Sequence, residues 1–175
     1  MTRDYDPLTK LRHWLVFLLV AAQYAIGEFM PHIGRKSVDE GLIAWHFIVG
    51  TVVLVAVVAA LIWRVVNPVP QTDEIALWQK RLATLVHWMI YLLIFVMCIL
   101  GWAATNYRGW DVKLFGIIPL PALAPKGTPW AHTAGDIHSL LVNVLLGLVG
   151  VHVLAALYHH FIARDGVLRR MLWSR

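Results

Sequence analysis

Four stretches of this chain are nearly free of charge: roughly residues 11–29, 42–63, 82–105 and 137–161. Each approaches or exceeds the ~20 residues that a helix needs to cross a ~30 Å hydrocarbon core. The segments between them collect the prolines, many of the glycines and most of the charge. The pattern predicts an all-α protein, an integral membrane four-helix bundle in one domain over residues 1–175. The first stretch reads as a span, because it is too long for a signal-peptide h-region, lacks a small-residue cleavage site and carries a histidine at its mouth.

Histidines recur among the polar residues that interrupt these runs. His138, His152 and His159 lie in the last run. His138 and His152 are 14 residues apart, a rise of roughly 21 Å that returns to nearly the same helix face. One helix therefore presents two imidazoles to one interior, one near each membrane surface. His13 opens the first run, with Gly27 14 residues on, and His87 opens the third, with Gly101 14 residues on. His46 opens the second, with Gly50 one turn further and Ala60 14 residues beyond. A glycine at the level opposite a histidine suits a helix that holds one macrocycle and makes room for a second. The stretch Arg12–Leu19 is echoed by Val86–Leu93, which hints at a duplicated helix pair, although the second and fourth runs are less alike.

Composition agrees with a membrane setting. The chain is 59% hydrophobic and 14% charged, with mean hydropathy +0.67, far from the usage of a soluble domain. Basic residues set the expected orientation. Arg3, Lys10 and Arg12, then Arg64, Lys80 and Arg81, then Arg164, Arg169, Arg170 and Arg175 outnumber Arg35, Lys36, Arg108, Lys113 and Lys126. The positive-inside rule places both termini in the cytoplasm. The pI near 9.7 then reflects topology, with no nucleic-acid binding implied. Trp14, Trp45, Trp63, Trp88 and Trp102 fall near the span ends, where amphipathic rings prefer to sit. The linker from Arg64 to Arg81 carries Pro68 and Pro70 as helix stops. The long apolar loop Asn106–Gly135 is expected to fold back as a cap over the bundle, with Asp136 or Thr133 capping the fourth helix.

Sorted by depth, the outer level holds His46 and His138, and the inner level holds His13, His87 and His152, with His159 and His160 nearer the surface. Any single histidine near a helix end is ordinarily an interfacial polar group. Five at two matched depths on four helices point instead to low-spin b-type haem, whose iron takes two axial imidazoles. The outer pair is then His46 with His138. The inner pair is His152 with either His13 or His87, and spacing does not choose between them. Zinc or copper would want its ligands grouped in one coordination sphere. The single Cys98 is mid-span and offers no C-x-x-C-H attachment, so haem would be non-covalent. Arg108 and Lys113 flank the outer level, either as solvated, snorkelling side chains or as groups that neutralise propionates or attract a small anion. His159 lies ~10 Å beyond His152 along the helix, as a surface residue or as a hydrogen-bond partner for a quinone carbonyl.

The residues so assembled resemble bacterial cytochrome b561 nearly end to end. The resemblance rests on His13-Trp14-Leu15-Val16-Phe17-Leu18-Leu19-Val20, His46, the His87 segment ending Ile90-Tyr91-Leu92-Leu93, and Asn106-Tyr107-Arg108-Gly109. It continues through Phe115-Gly116, Pro119, His138, Gly150, His152 and the pair His159-His160. The resemblance implies two haem b groups in a multi-pass protein of the bacterial inner membrane, the inner held by His13 and His152 and the outer by His46 and His138. His87 becomes the spare and, with His159, a candidate for the quinone pocket. Within that family the chain resembles the superoxide oxidases, which implies superoxide as periplasmic donor, attracted near Arg108, and ubiquinone as acceptor. The rival expectation is a cytochrome b relay subunit docked on a larger dehydrogenase, and a homo-oligomer is compatible with either.

Overall fold

The computed structural model describes residues 5–67 and 75–173. Arg3, Asp4 and Arg175, and the helix stops Pro68 and Pro70, lie outside the described residues. Four long helices are present: α1 (Pro7–Phe29), α2 (Gly41–Val66), α3 (Leu77–Tyr107) and α4 (Pro129–Tyr158). A two-residue ladder joins β1 (Lys113–Leu114) to β2 (Ile118–Pro119), and α4 runs on into a π-helical turn, His159–Ala163. By length and composition, α2, α3 and α4 with its continuation can each cross a membrane.

Helix starts follow local chemistry. Asp6 accepts from the Thr9 amide at 2.9 Å with Pro7 in the first turn of α1, and the Gln79 side chain accepts from the Ala76 amide at 2.9 Å to begin α3. The fourth helix corrects the expected cap. It starts at Pro129 with Thr128 before it, so Thr133 and Asp136 lie inside the helix. The reason is physical: Pro129 is pre-set for a first helical turn, and the helix extends past the apolar run into polar residues. There Asp136 pairs with His132 at 3.3 Å, and the Thr133 hydroxyl donates to the Pro129 carbonyl.

Packing pairs α1 with α2, α2 with α3, and α3 with α4. A central knot of Val53, Val57, Ile94, Met97 and Leu145 fills mid-bundle. A second knot of Ala103, Ala124, Ala131 and Ala134 sits where α3, the long loop and α4 meet, and such small residues let backbones approach. Large side chains such as Leu18, Ile62, Leu92 and Leu154 face outward, the distribution of a bundle whose solvent is hydrocarbon.

The two ends of the bundle differ. At the end bearing the hairpin, the long loop does fold back: Val112 and Ala124 are buried, Asn106 bridges the Trp110 carbonyl and the Leu123 amide, and Arg108 donates to the carbonyls of Gly34 and Ile33. At the end bearing the termini, the chain's tail returns to α1. Buried Lys10 donates through Nζ to the Leu172 carbonyl at 2.9 Å, and Trp14 Nε1 donates to the Met171 carbonyl at 3.0 Å. Arg170 lies over the Tyr5 ring.

Candidate functional site

One cavity of about 2220 Å³ runs through the bundle, lined by His13, His46, His87, His138 and His152. It is about twice the upper end of the ~300–1,000 Å³ usual for a small-ligand pocket. Its walls are helix faces on which the 14-residue steps have brought histidines to two tiers.

At the hairpin end, the His46 and His138 ring centres are 6.2 Å apart. Each ring leans over a glycine on the preceding helix. A Cβ on Gly27 would come within 3.3 Å of His46 Cε1, and one on Gly101 within 3.2 Å of His138 Nδ1. The bare backbone beside Gly101 also exposes the carbonyl one turn earlier, and His138 Nδ1 bonds Met97 O at 2.8 Å. With Nδ1 as the donor, Nε2 is left to bind a metal, the usual outer-shell arrangement for a ligating histidine. Gln23 Nε2 donates to the His46 carbonyl at 2.9 Å.

At the terminal end, His152 has two neighbours. Its ring centre is 6.1 Å from that of His13 and 4.8 Å from that of His87. His87 Nδ1 is tied to the Ala83 carbonyl of its own helix. Arg12 and Arg64 line the mouth beside them, Arg12 stacked on Trp63 at 3.9 Å and Arg64 over Trp88. Arg108 lines the opposite mouth, held by its two carbonyls and lying over Trp110. His159 is not among the side chains lining the cavity. Its Nδ1 is hydrogen-bonded to Asp165, which also accepts from the Val167 amide.

The side chains fit haem on three counts. An iron between two imidazoles, with metal–nitrogen bonds of ~2 Å as in other histidine sites, separates the ring centres by about 6 Å. Two of the cavity's close pairs match that separation; His87 and His152 are too close. Three buried polar atoms along the cavity, Gln23 Oε1, His46 Nδ1 and Trp102 Nε1, have no hydrogen-bond partner among the described residues, which marks a site built for a further group. Gly27 and Gly101 let the His46 and His138 rings settle against bare backbone, where an added Cβ would come within 3.3 and 3.2 Å of them.

Three participants were not singled out from the sequence. Gln23 carried a signal, a polar amide inside an apolar run. Asp165 and the Met97 carbonyl carried none, since a backbone acceptor has no residue-type signature. Gly101 one turn on was the only trace of it.

Comparison with known proteins agrees with this chemistry. The family model described as prokaryotic cytochrome b561 matches residues 4–174. The chain is 32% identical over 173 residues to a probable superoxide oxidase CybB of Yersinia pestis, covering 98% of this chain and 97% of that one. It is 30% identical over 176 residues to cytochrome b561 homolog 2 of Escherichia coli, covering 96% and 90%. A cytochrome b562 of Cereibacter sphaeroides is 28% identical over the full length of both chains. A histidine-lined cavity within apolar helices and a match over nearly the whole sequence lead to one conclusion: the chain belongs to the prokaryotic cytochrome b561 family of bacterial membrane electron-transfer proteins, whose cytochrome b character implies haem b.

Proposed function

We propose that the protein is a superoxide:ubiquinone oxidoreductase of the inner membrane, a single domain of four spans with both termini cytoplasmic. The observation that carries this reading is the pair of imidazole tiers in one cavity, each containing two rings about 6 Å apart. His46 and His138 would hold one haem b, and His13 and His152 the other. The separations favour His13 over His87 as partner of His152. The relative named as a probable superoxide oxidase supports the donor. Helix α1, 23 residues and about 35 Å long, packs along α2 and supplies the fourth span.

When bound, the haems supply one-electron redox chemistry, while the protein supplies ligation, orientation and electrostatics. Arg108 keeps a fixed cation at the hairpin-end mouth, where its two carbonyl partners hold it against loop motion. A small anion meets positive charge there. Superoxide gives up one electron and leaves as dioxygen. Two such electrons and two cytoplasmic protons convert one ubiquinone to ubiquinol. His138 keeps its Nδ1 proton on Met97 O, which fixes the tautomer needed for ligation. At the terminal end, His87 and His159 are the candidates to meet the quinone. His159, with Nδ1 tied to Asp165, has Nε2 left for a quinone carbonyl or a proton.

Mixing superoxide with the oxidised, purified protein should produce the reduced haem spectrum, and adding ubiquinone should reverse it. Reduction without quinone-dependent reoxidation would refute the acceptor, and no reduction would refute the donor. A relay subunit of a larger dehydrogenase is the second reading, favoured by relatives named only as cytochromes. Its mark would be co-purification with a soluble partner and no superoxide activity in the isolated chain.

A further inference from the structure

The hairpin lies unexpectedly deep. Helix α2 has 26 residues, a length of about 39 Å, of which ~30 Å fits the hydrocarbon core. Thr51 is the eleventh of those residues, so it lies roughly 10 Å inside the boundary. The buried Thr51 hydroxyl accepts the Phe115 amide at 3.2 Å. One turn nearer the surface, a Cβ on Gly116 would sit 3.1 Å from Ile48 Cδ1, and the rings of Phe47 and Trp110 are 5.9 Å apart. The hairpin thus runs beside the first half of a membrane-crossing helix.

Non-helical backbone survives at such depth only if its polar groups are satisfied within the protein. The N–H groups of the hairpin tip are paired in this way. Besides the Phe115 bond, Gly116 donates to Lys113 O, Ile117 to Leu114 O and Leu120 to Val112 O. Ile118 pairs with Leu114 in the ladder, and Pro119 has no N–H. Phe115 and Gly116 take left-handed backbone (φ +55° and +74°) to make the reversal. The side chains sort by face. Val112 is buried and lines the cavity with Thr51, whereas Phe115, Ile117 and Ile118 are 47%, 78% and 54% exposed.

The geometry points to a re-entrant wedge: the Lys113–Pro119 hairpin is seated in the leaflet that the N-terminal end of α2 enters, with Phe115, Ile117 and Ile118 against lipid acyl chains. Lys113 snorkels from its base to the interface. The wedge walls the His46–His138 tier off from lipid on that side, so a lipid-dissolved reactant is kept from it there. None of this depends on the donor or acceptor proposed above.

A nitroxide on Ile117→Cys, in a Cys98→Ala background and phosphatidylcholine vesicles, reads the depth directly. Collision with oxygen relative to a water-soluble nickel chelate should resemble that of a label on Val55→Cys, on α2 four residues beyond Thr51. It should exceed several-fold that of Lys36→Cys in the first loop. A ratio at the Lys36→Cys level would overturn the proposal and leave the tip in water, free for a soluble partner. Independently, Ile117→Asp should lower the yield of folded, haem-loaded protein several-fold while Ile117→Phe leaves it unchanged. An undiminished yield of Ile117→Asp would also overturn it, since a side chain that exposed loses no internal contact.

Discussion

The α1–α2 pair and the α3–α4 pair use the same device with different completeness. In each, a histidine opens the first helix, a glycine follows 14 residues later, and that glycine receives the imidazole of the second helix: Gly27 under His46, Gly101 under His138. In α3–α4 the receiving backbone completes the job, with Met97 O fixing His138 Nδ1. The matching position in α1 is Gln23, also four residues before its glycine, yet His46 Nδ1 has no partner among the described residues and the Gln23 amide bonds the His46 carbonyl instead. The second difference is that α4 carries His152 where α2 carries Ala60. The pairs therefore contribute evenly to the hairpin-end tier and unevenly to the other, where His13 and His87 crowd one partner. Repetition gives the positions, and the unmatched residues decide their use.

The comparison breaks most visibly at the ligands. On the proposed assignment, His46→Ala or His138→Ala removes one of two haems and spares the other, read as a pyridine haemochrome count per chain. Loss of both, or neither, would show that the tiers are not independent. Next in size is the asymmetry of the lower tier. His13→Ala should lose the terminal-end haem while His87→Ala keeps both, and the reverse result would make the third helix the ligand donor. A smaller effect sharpens the role of the glycines. Gly101→Val forces a side chain against the His138 ring, an overpacking cost of about 1–3 kcal/mol, and should weaken retention of the hairpin-end haem in a thermal titration. Gly147→Ala, where nothing lies within 4 Å of the added methyl, should change nothing.

The smallest effect lies at the helix starts. Asp6→Ala removes the cap of α1 and should cost about 1 kcal/mol. The hydrogen bond from the Thr9 hydroxyl holds the Asp6 carboxyl below its usual pKa. A carboxylate so lowered stabilises the fold above its unfolded pKa and loses that contribution as pH falls through the folded value. The penalty of Asp6→Ala, measured by thermal melts, should therefore shrink in acid, whereas that of Gln79→Ala at the start of α3 should not.

Much of the site was legible because membrane helices advertise it. A histidine in an apolar run stands out, and a 14-residue interval converts directly into a shared face and a depth. The same logic failed at the margins. Hydropathy sees only the lipid-crossing part of α4, so its true start at Pro129 was hidden behind His132 and Asp136. The choice between His13 and His87 as partner of His152 turns on helix packing, where distances of 6.1 and 4.8 Å separate candidates that sequence spacing left equal. Lys10 reads as an ordinary interfacial cation, yet it is buried on a carbonyl 162 residues away.

That last contact has a consequence for how the protein is made. Lys10 and Trp14, in the first turns of α1, take their acceptors from Leu172 and Met171, which are translated only after α4. The opening turn of α1 therefore cannot lock until Met171 and Leu172 have been made, and a nascent chain stalled before Met171 would carry that turn unfinished.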